Sequence, residues 1–351
     1  MVDVENKQPD VTVLITESTI SPGFFTTNID KLSSVDTLNF EETFDIVIAE
    51  LENDYSKDKF IRDQKFNQSW DNIQGETREV LINLVEEYCA AEYSGFIVYK
   101  ELSYQLRETN RTLSNGFSLM SRDEARHASF LNKALLDFHL KPSLSFLKKE
   151  DRKYIFLPLS WFIYSTYLSE RLSSCYYITI FEHLKSHPEY SIYPLFEFYK
   201  SWSEDENRHG DFLGAIIKTQ SWLSYGLKAK LTCKFYLLLI FSITYLKYKD
   251  NEKVLSLFEL DSLKYSVSTI KTVNDSIGKN LPVILDLENS FFFSKLNACM
   301  MHISENEKIN LSNQSVFLAF LKKTPHYFAL TINLVSLLFV KSIDTRKIQV
   351  F

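Results

Sequence analysis

The sequence predicts an all-α protein: a four-helix bundle enclosing a dinuclear metal site, with an N-terminal extension before it and further helices after it. Three observations lead there. Glycine and proline number only eight each in 351 residues, so helix breakers and tight turns are scarce. Four separate stretches carry a largely apolar stripe whose steps alternate between four and three residues, the spacing of one helical face. The pentapeptide Asp-Glu-x-Arg-His occurs twice, as DEARH at 123–127 and DENRH at 205–209, in a chain with seven histidines.

Taken in order, residues 1–60 read as an irregular extension, with SPGFFTTN at 21–28 as a turn-rich entry. Residues 61–220 hold the bundle. Its first stripe runs Leu81, Val85, Tyr88, Glu92, Gly95, Tyr99, Leu102, Leu106, and its second Leu113, Phe117, Met120, Glu124, His127, Leu131, Ala134, Phe138. The third runs Leu159, Ile163, Thr166, Glu170, Ser173, Tyr177, Ile180, and the fourth Leu195, Tyr199, Trp202, Glu206, His209, Leu213, Ile216. NGF at 115–117 and HPEYSIYP at 187–194 read as breaks or helix starts, and 141–153 as a polar connection. Residues 221–351 form a helical region packed on the bundle. Its most apolar runs are FYLLLIFSITYL at 235–246 and the stretch from Tyr327 to Val340. Neither reaches the ~18 apolar residues of a membrane span. Buried helix is the expectation for both, with interfacial membrane contact as the alternative for the second.

Composition narrows the function classes. A net charge of −6 with no strong basic block argues against a nucleic-acid partner. Cys89, Cys175, Cys233 and Cys299 are far apart and form no C-x-x-C, so they read as reduced core thiols. An N-terminus with Asp3, Glu5, Asp10 and Glu17 resembles neither a signal nor a transit peptide. No G-x-G-x-x-G and no P-loop is present, so electrons for a redox reaction are expected from a separate protein.

The chemistry sits in the stripes. Each carries a glutamate near its middle, and two carry a histidine one turn later. Ionised carboxylates in a core are costly unless they are paired or bound to metal, and no Lys or Arg lies in the stripes. A dinuclear centre resolves the charge problem. Glu124 and His127 can hold one ion from one helical face, Glu206 and His209 the other, while Glu92 and Glu170 complete the shell terminally or as bridges. One Glu from each of two helices plus Glu-x-x-His from two others is the ligand set of ferritin-like di-iron and di-manganese bundles. Glu92 leads Glu124 by 32 residues and Glu170 leads Glu206 by 36, gaps that suit two helical hairpins. Outward-facing charges or a buried ion-pair network are the competing explanation. Asp123 and Asp205 are placed to accept from the metal-bound imidazoles, each from the His of the other pentapeptide. Arg126 and Arg208 either neutralise carboxylates or lie on the surface. His139, His183, His187, His302 and His326 lack a Glu at −3 and read as ordinary. A donor set of carboxylates and two imidazoles favours iron or manganese over copper or zinc, and iron suits dioxygen activation.

Longer motifs surround these residues: FNQSWDNIQGETR (66–78), AEYSGFIVYKEL (91–102), LMSRDEARHASFLNKAL (119–135), YLSERLSSCYYITIFEHLKSHPE (167–189), DENRHGDF (205–212) and PVILDLEN (282–289). Together they resemble the aerobic di-iron magnesium-protoporphyrin IX monomethyl ester cyclases of chlorophyll synthesis, from about Glu17 to about Leu296. Ser129 departs from the glycine expected there. The resemblance implies a ferritin-like fold, with Glu92, Glu124, His127, Glu170, Glu206 and His209 as catalytic iron ligands. It implies two Fe ions, O2, and electrons from an external NADPH/ferredoxin system, with ferredoxin or a reductase as donor and an auxiliary subunit as a further partner. The implied reaction is the oxidative closure of the fifth ring, a monooxygenase chemistry. Low Gly and Ala with abundant Lys, Asn, Ile and Phe suits an AT-rich plastid genome, hence a chloroplast location, with a cyanobacterial cell as the alternative. A di-iron desaturase or hydroxylase on another apolar substrate, and a ferritin-like iron-binding protein, are the other functions that such a site can serve.

Overall fold

A computed structural model describes residues 11–13, 24–142, 152–312 and 315–347. Four long helices follow the four stripes: α3 (Gly75–Leu106), α4 (Arg111–Asp137), α5 (Leu159–Ser186) and α6 (Tyr199–Thr219). Before them stand α1 (Ile29–Ser33) and α2 (Glu41–Glu52). After them come α7 (Ser221–Ser224), α8 (Gly226–Leu246), α9 (Glu252–Ser256), α10 (Ser262–Ser276), α11 (Phe291–Leu311) and α12 (Val316–Ser336). Among the described residues, strands are three residues long and occur in pairs. β1 (Val11–Val13) is parallel to β3 (Leu140–Pro142), β2 (Phe24–Thr26) is parallel to β4 (Tyr154–Phe156), and β5 (Val283–Leu285) is antiparallel to β6 (Ser342–Asp344). The all-α expectation holds.

α3 packs along α4, and α5 along α6, as two hairpins. The first turn is set by Asn110. Its side chain caps α4 by accepting from the Leu113 N–H at 3.1 Å, and it donates to the Ser33 and Val35 carbonyls. Every residue of the second stripe is buried, as is every residue of the fourth. The interior is a run of apolar layers above and below one polar layer, which the glutamates and histidines share.

The structure corrects several expectations. Residues 24–60 are not irregular: α2 buries Phe44, Ile48 and Leu51 against α4 and α6. Its stripe is short, and the turn residues on either side mask it in the sequence. NGF lies inside α4 rather than at a break. Gly116 is there because a β-carbon would stand 2.2 Å from the Phe212 ring, so the glycine serves helix packing. HPEYSIYP does break the chain, and two 3-10 turns lead from it into α6, which starts at Tyr199 rather than Leu195. The polar connection lies mostly outside the described residues, as does the start of the SPGFFTTN entry, whose FFT forms β2.

The C-terminal apolar runs also behave differently. The segment Gly226–Lys249 is long and apolar enough, by length and composition, to cross a membrane. The 235–246 run understates it because helical residues on its N-terminal side extend it. One face of α8 is core, with Tyr236, Leu237 and Phe241 buried, while Phe235 and Ile243 are exposed. Buried helix fails for the helical part of the second run, although Leu337 and Val340 at its end are buried. No residue of α12 is buried, and Phe317, Phe320, Tyr327 and Phe328 are all exposed. α12 packs mainly on α11, which leaves it a single layer at the edge of the fold.

Candidate metal centre

Each of the four bundle helices delivers its mid-stripe glutamate to one level of the interior. Glu92, Glu124, Glu170 and Glu206 are 4–7% exposed, and His127 and His209 are fully buried. Gly95 makes room for one of them, since a β-carbon there would stand 2.9 Å from Glu124 Oε2.

The six side chains form two groups that could each hold a cation: Glu124, Glu170, Glu206 and His209, and Glu92, His127 and Glu206. Glu206 belongs to both. Its Oε1 lies 3.7 Å from His127 Nδ1 and its Oε2 lies 3.6 Å from His209 Nδ1. His127 Nδ1 is also 3.2 Å from Glu92 Oε2. His209 Nδ1 is 3.4 Å from both Glu124 Oε1 and Glu170 Oε2. The grouping corrects one half of the expected division of ligands. Glu124 sits with His209 from the other pentapeptide rather than with His127 one turn along its own helix. Glu206 keeps its own His209 one turn along the helix, at 3.6 Å, so the expected pairing stands for the second pentapeptide and changes for the first.

The geometry fits metal better than an ion-pair network. His209 is completely buried, yet neither ring nitrogen makes a hydrogen bond. Its Nδ1 faces three carboxylates at 3.4–3.6 Å, too far for hydrogen bonds. Ligands side by side on an octahedral cation, each at about 2.1 Å, stand about 3 Å apart, so modest closure around an ion satisfies all four. Protonation states tell the same story. Burial pushes the Glu124 and Glu206 carboxyls well above the ordinary carboxylate range, and the neighbouring carboxylates push them further. Burial would lower the pKa of His127, but hydrogen bonds to Asp205 and Glu92 outweigh it and raise it to about 10. Burial would lower His209 too, but the carboxylates of Asp123 and the three facing glutamates raise it well above the ordinary imidazole range. Protons stand in for the positive charge that the cluster demands.

Around the cluster the pentapeptides cross over. His127 Nε2 is 3.0 Å from Asp205 Oδ2 and donates to it, and His209 Nε2 lies 3.5 Å from Asp123 Oδ2. Each Asp thus faces the His of the other pentapeptide. Arg208 donates to Asp205, and Arg126 lies 3.4 Å from Asp123 and pairs with Asp54 at 2.6 Å, so both arginines face carboxylates.

Several contributors escape a reading of the stripes. The left-handed backbone at Asp54 (φ 46°) ends α2 and turns the chain back over the bundle. Ser56 then donates to Asp205 at 2.8 Å, and the Phe60 ring sits 5.0 Å from that of His127. Trp202 covers the same imidazole at 4.6 Å. Tyr99 donates to Glu170. Tyr99 and Trp202 were visible as stripe residues, but nothing local signals Ser56 or Phe60. The remaining histidines take no part: His183 bonds the Phe258 carbonyl at 2.7 Å, and His302 and His326 face each other between α11 and α12. All four cysteines are free.

Comparison with known proteins agrees with this picture. The rubrerythrin family model matches residues 83–217, the stretch that supplies all six clustered side chains. The chain is 41% identical to the magnesium-protoporphyrin IX monomethyl ester oxidative cyclase of Pyropia yezoensis, over 95% of both chains. It is 39% identical to a cyclase of the same name from Nostoc, over 98% of this chain and 96% of that one, and 41% identical to the one from Cyanidium caldarium, over 94% of each. No solved structure matches. Near-complete coverage at this identity, over a bundle whose four helices deliver the carboxylates and imidazoles of a di-iron site, places the chain in the oxidative magnesium-protoporphyrin IX monomethyl ester cyclase family.

Proposed function

We propose that the chain catalyses the oxidative ring closure of magnesium-protoporphyrin IX monomethyl ester at a di-iron centre held by Glu92, Glu124, His127, Glu170, Glu206 and His209. The observation that carries the reading is Glu206, whose two oxygens divide between the two histidine groups as a bridging carboxylate's would. Glu92 and His127 would hold one ion and Glu124, Glu170 and His209 the other, with Glu206 available to both. When bound, the iron pair supplies the oxidising power for an unactivated C–H bond, using O2 and external electrons. The methyl propionate arm of ring C is oxidised at the carbon beta to the ester, to the alcohol and then the ketone. The activated methylene then joins the neighbouring meso carbon, giving divinyl protochlorophyllide.

The chain's own residues hold and shield this chemistry. Asp205 accepts from His127 Nε2 and so turns its Nδ1 toward the carboxylate cluster, while Asp123 stands opposite His209 Nε2 at longer range. Tyr99 orients Glu170 through its hydroxyl. Phe60, Trp202 and Phe117 form an apolar wall that keeps bulk water away. The electrons come from a ferredoxin or NADPH-dependent reductase, because the sequence carries no nucleotide motif of its own. The relatives come from plastid-bearing algae and cyanobacteria, which supports a plastid or cyanobacterial location. The exposed apolar face of α12 supports peripheral contact with a membrane. The extent of the rubrerythrin match supports a division into an extension (1–60), the bundle (61–220) and a C-terminal helical region (221–351).

A single turnover tests the reading. Protein loaded with iron and reduced without oxygen is mixed with magnesium-protoporphyrin IX monomethyl ester and pulsed with O2, and the extracted pigment is weighed by mass spectrometry. A pigment that gains one oxygen atom, and fails to do so with Glu124→Ala, is the expected result. Unchanged pigment from protein whose iron pair has been re-oxidised would overturn it.

A further inference from the structure

The bundle closes over most of its polar layer, but Glu92 lines a cleft. α2 and the Asp54–Phe60 turn cover the side on which Asp123 and Asp205 lie. On the side between α3 and α5 a chamber of about 270 Å3 opens beside Glu92. Its floor is Ala91 and Ser173, small residues on the two facing helices, and its walls are Tyr88, Tyr176 and Tyr265. Through Tyr88 and Asn251, which line both, it continues into an outer chamber of about 540 Å3 bordered by Lys247 and Lys253, with Glu87 and Asp250 also on its rim. Small-molecule sites generally fall between about 300 and 1,000 Å3 and combine apolar walls with a few polar groups.

Resting on the function proposed above, we propose that this two-chamber cleft is the macrocycle-binding site, and that it sorts the two propionate arms of the substrate by charge. A protoporphyrin monomethyl ester carries one neutral ester arm and one free carboxylate, side by side on the same edge of the ring. The ester arm enters the inner chamber past Ala91 toward Glu92, where tyrosine rings flank it and no cation lines the wall. A carboxylate there would be desolvated beside the carboxylate of Glu92, a costly arrangement. The free carboxylate stays in the outer chamber near Lys247, which is exposed, whereas Lys253 is already paired with Glu76 at 2.8 Å. The ring lies between α3 and the 247–254 segment. The arm that reaches the metal centre is therefore the esterified one. The methyl ester is needed for entry as well as for the later acidity of its methylene.

Binding can be read without turnover. Iron-loaded protein under nitrogen is titrated with magnesium-protoporphyrin IX, its monomethyl ester and its dimethyl ester, following the pigment's absorption and fluorescence. Wild type binds the monoester best and the diacid worst. Ala91→Trp fills the inner chamber from an exposed position and weakens the monoester by about tenfold or more, with both irons and the helical signal retained. Lys247→Glu weakens the monoester by about two- to fivefold, the range of an exposed ion pair, and leaves the dimethyl ester unchanged. If Ala91→Trp loses its iron, the Lys247 contrast between monoester and dimethyl ester decides alone. Wild-type affinity for the monoester in both variants overturns the cleft assignment and leaves the proposed reaction standing. A wild-type protein that binds none of the three pigments overturns the proposed function itself.

Discussion

Asp205→Asn is the substitution that most directly probes how the centre is held. Asp205 is 1% exposed and takes three donors on two oxygens: His127 Nε2 at 3.0 Å, the Ser56 hydroxyl at 2.8 Å, and the Arg208 guanidinium. Asparagine keeps the shape but offers one accepting oxygen, so its amide NH2 must face at least one of these donors. If the amide turns toward His127, the imidazole loses the acceptor that fixes its tautomer and its basicity. Losses of this kind cost about 10–100-fold in metal affinity, which is about 1.4–2.8 kcal/mol. If it turns toward Arg208, a half-buried cation goes unpaired at about 1–3 kcal/mol of folding stability. Asp123→Asn is the internal control. His209 Nε2 stands 3.5 Å from Asp123, outside hydrogen-bond range, so less coupling to the metal exists to be lost. Anaerobic competition of each variant against a ferrous chelator gives the two affinities. Asp205→Asn is expected to lose at least tenfold and Asp123→Asn less. Equal losses, or a larger one for Asp123→Asn, would refute the claim that hydrogen-bond geometry around the imidazoles governs metal retention.

Three further outcomes are expected. Glu92→Ala should keep the ion of the His209 group and lose the other, whereas Glu206→Ala should bind neither tightly. Metal analysis after desalting reads about one ion against none, and equal stoichiometry in the two variants would remove the bridging role. Protein stripped of metal should lose stability as pH rises. Glu124 and Glu206 have folded pKa values above the ordinary 4.5, and His127 has one of about 10 against 6.5, so above 4.5 the folded state holds more protons than the unfolded state. Unfolding free energy then falls with pH. The histidine contribution is complete below 6.5 and gone above about 10. Urea titrations from pH 5 to 10 should show this decline in the chelated protein and a much weaker one in the iron-loaded protein. Gly116→Ala should cost about 1–3 kcal/mol through overpacking against the buried Phe212 ring, seen as a lower urea midpoint with an unchanged slope.

The bundle was legible because its signals are local and periodic. A four-three stripe reports a helix face whatever the partner, and a buried glutamate in such a stripe is conspicuous because apolar surroundings penalise charge. Helix α2 was missed because its buried set, Phe44, Ile48 and Leu51, is too short to stand out between turn residues. The α12 reading failed for the opposite reason. An apolar helix looks the same in sequence whether its face meets a core or solvent, and only the neighbour it lacks tells them apart.

The sequence by itself therefore determined the four bundle helices, the level at which six ligands meet, and the charge problem that a dinuclear centre solves, because residue type and spacing along one helix carry that information. It also carried the long motifs that identify the family. Only the tertiary structure decided that Glu206 is shared between the two groups and that Glu124 sits with His209 rather than His127. It also decided that Ser56 and Phe60 close one side while a cleft beside Glu92 opens the other. Those are relations between helices, fixed by how two hairpins are rotated and offset against each other. No spacing within a single helix records that offset.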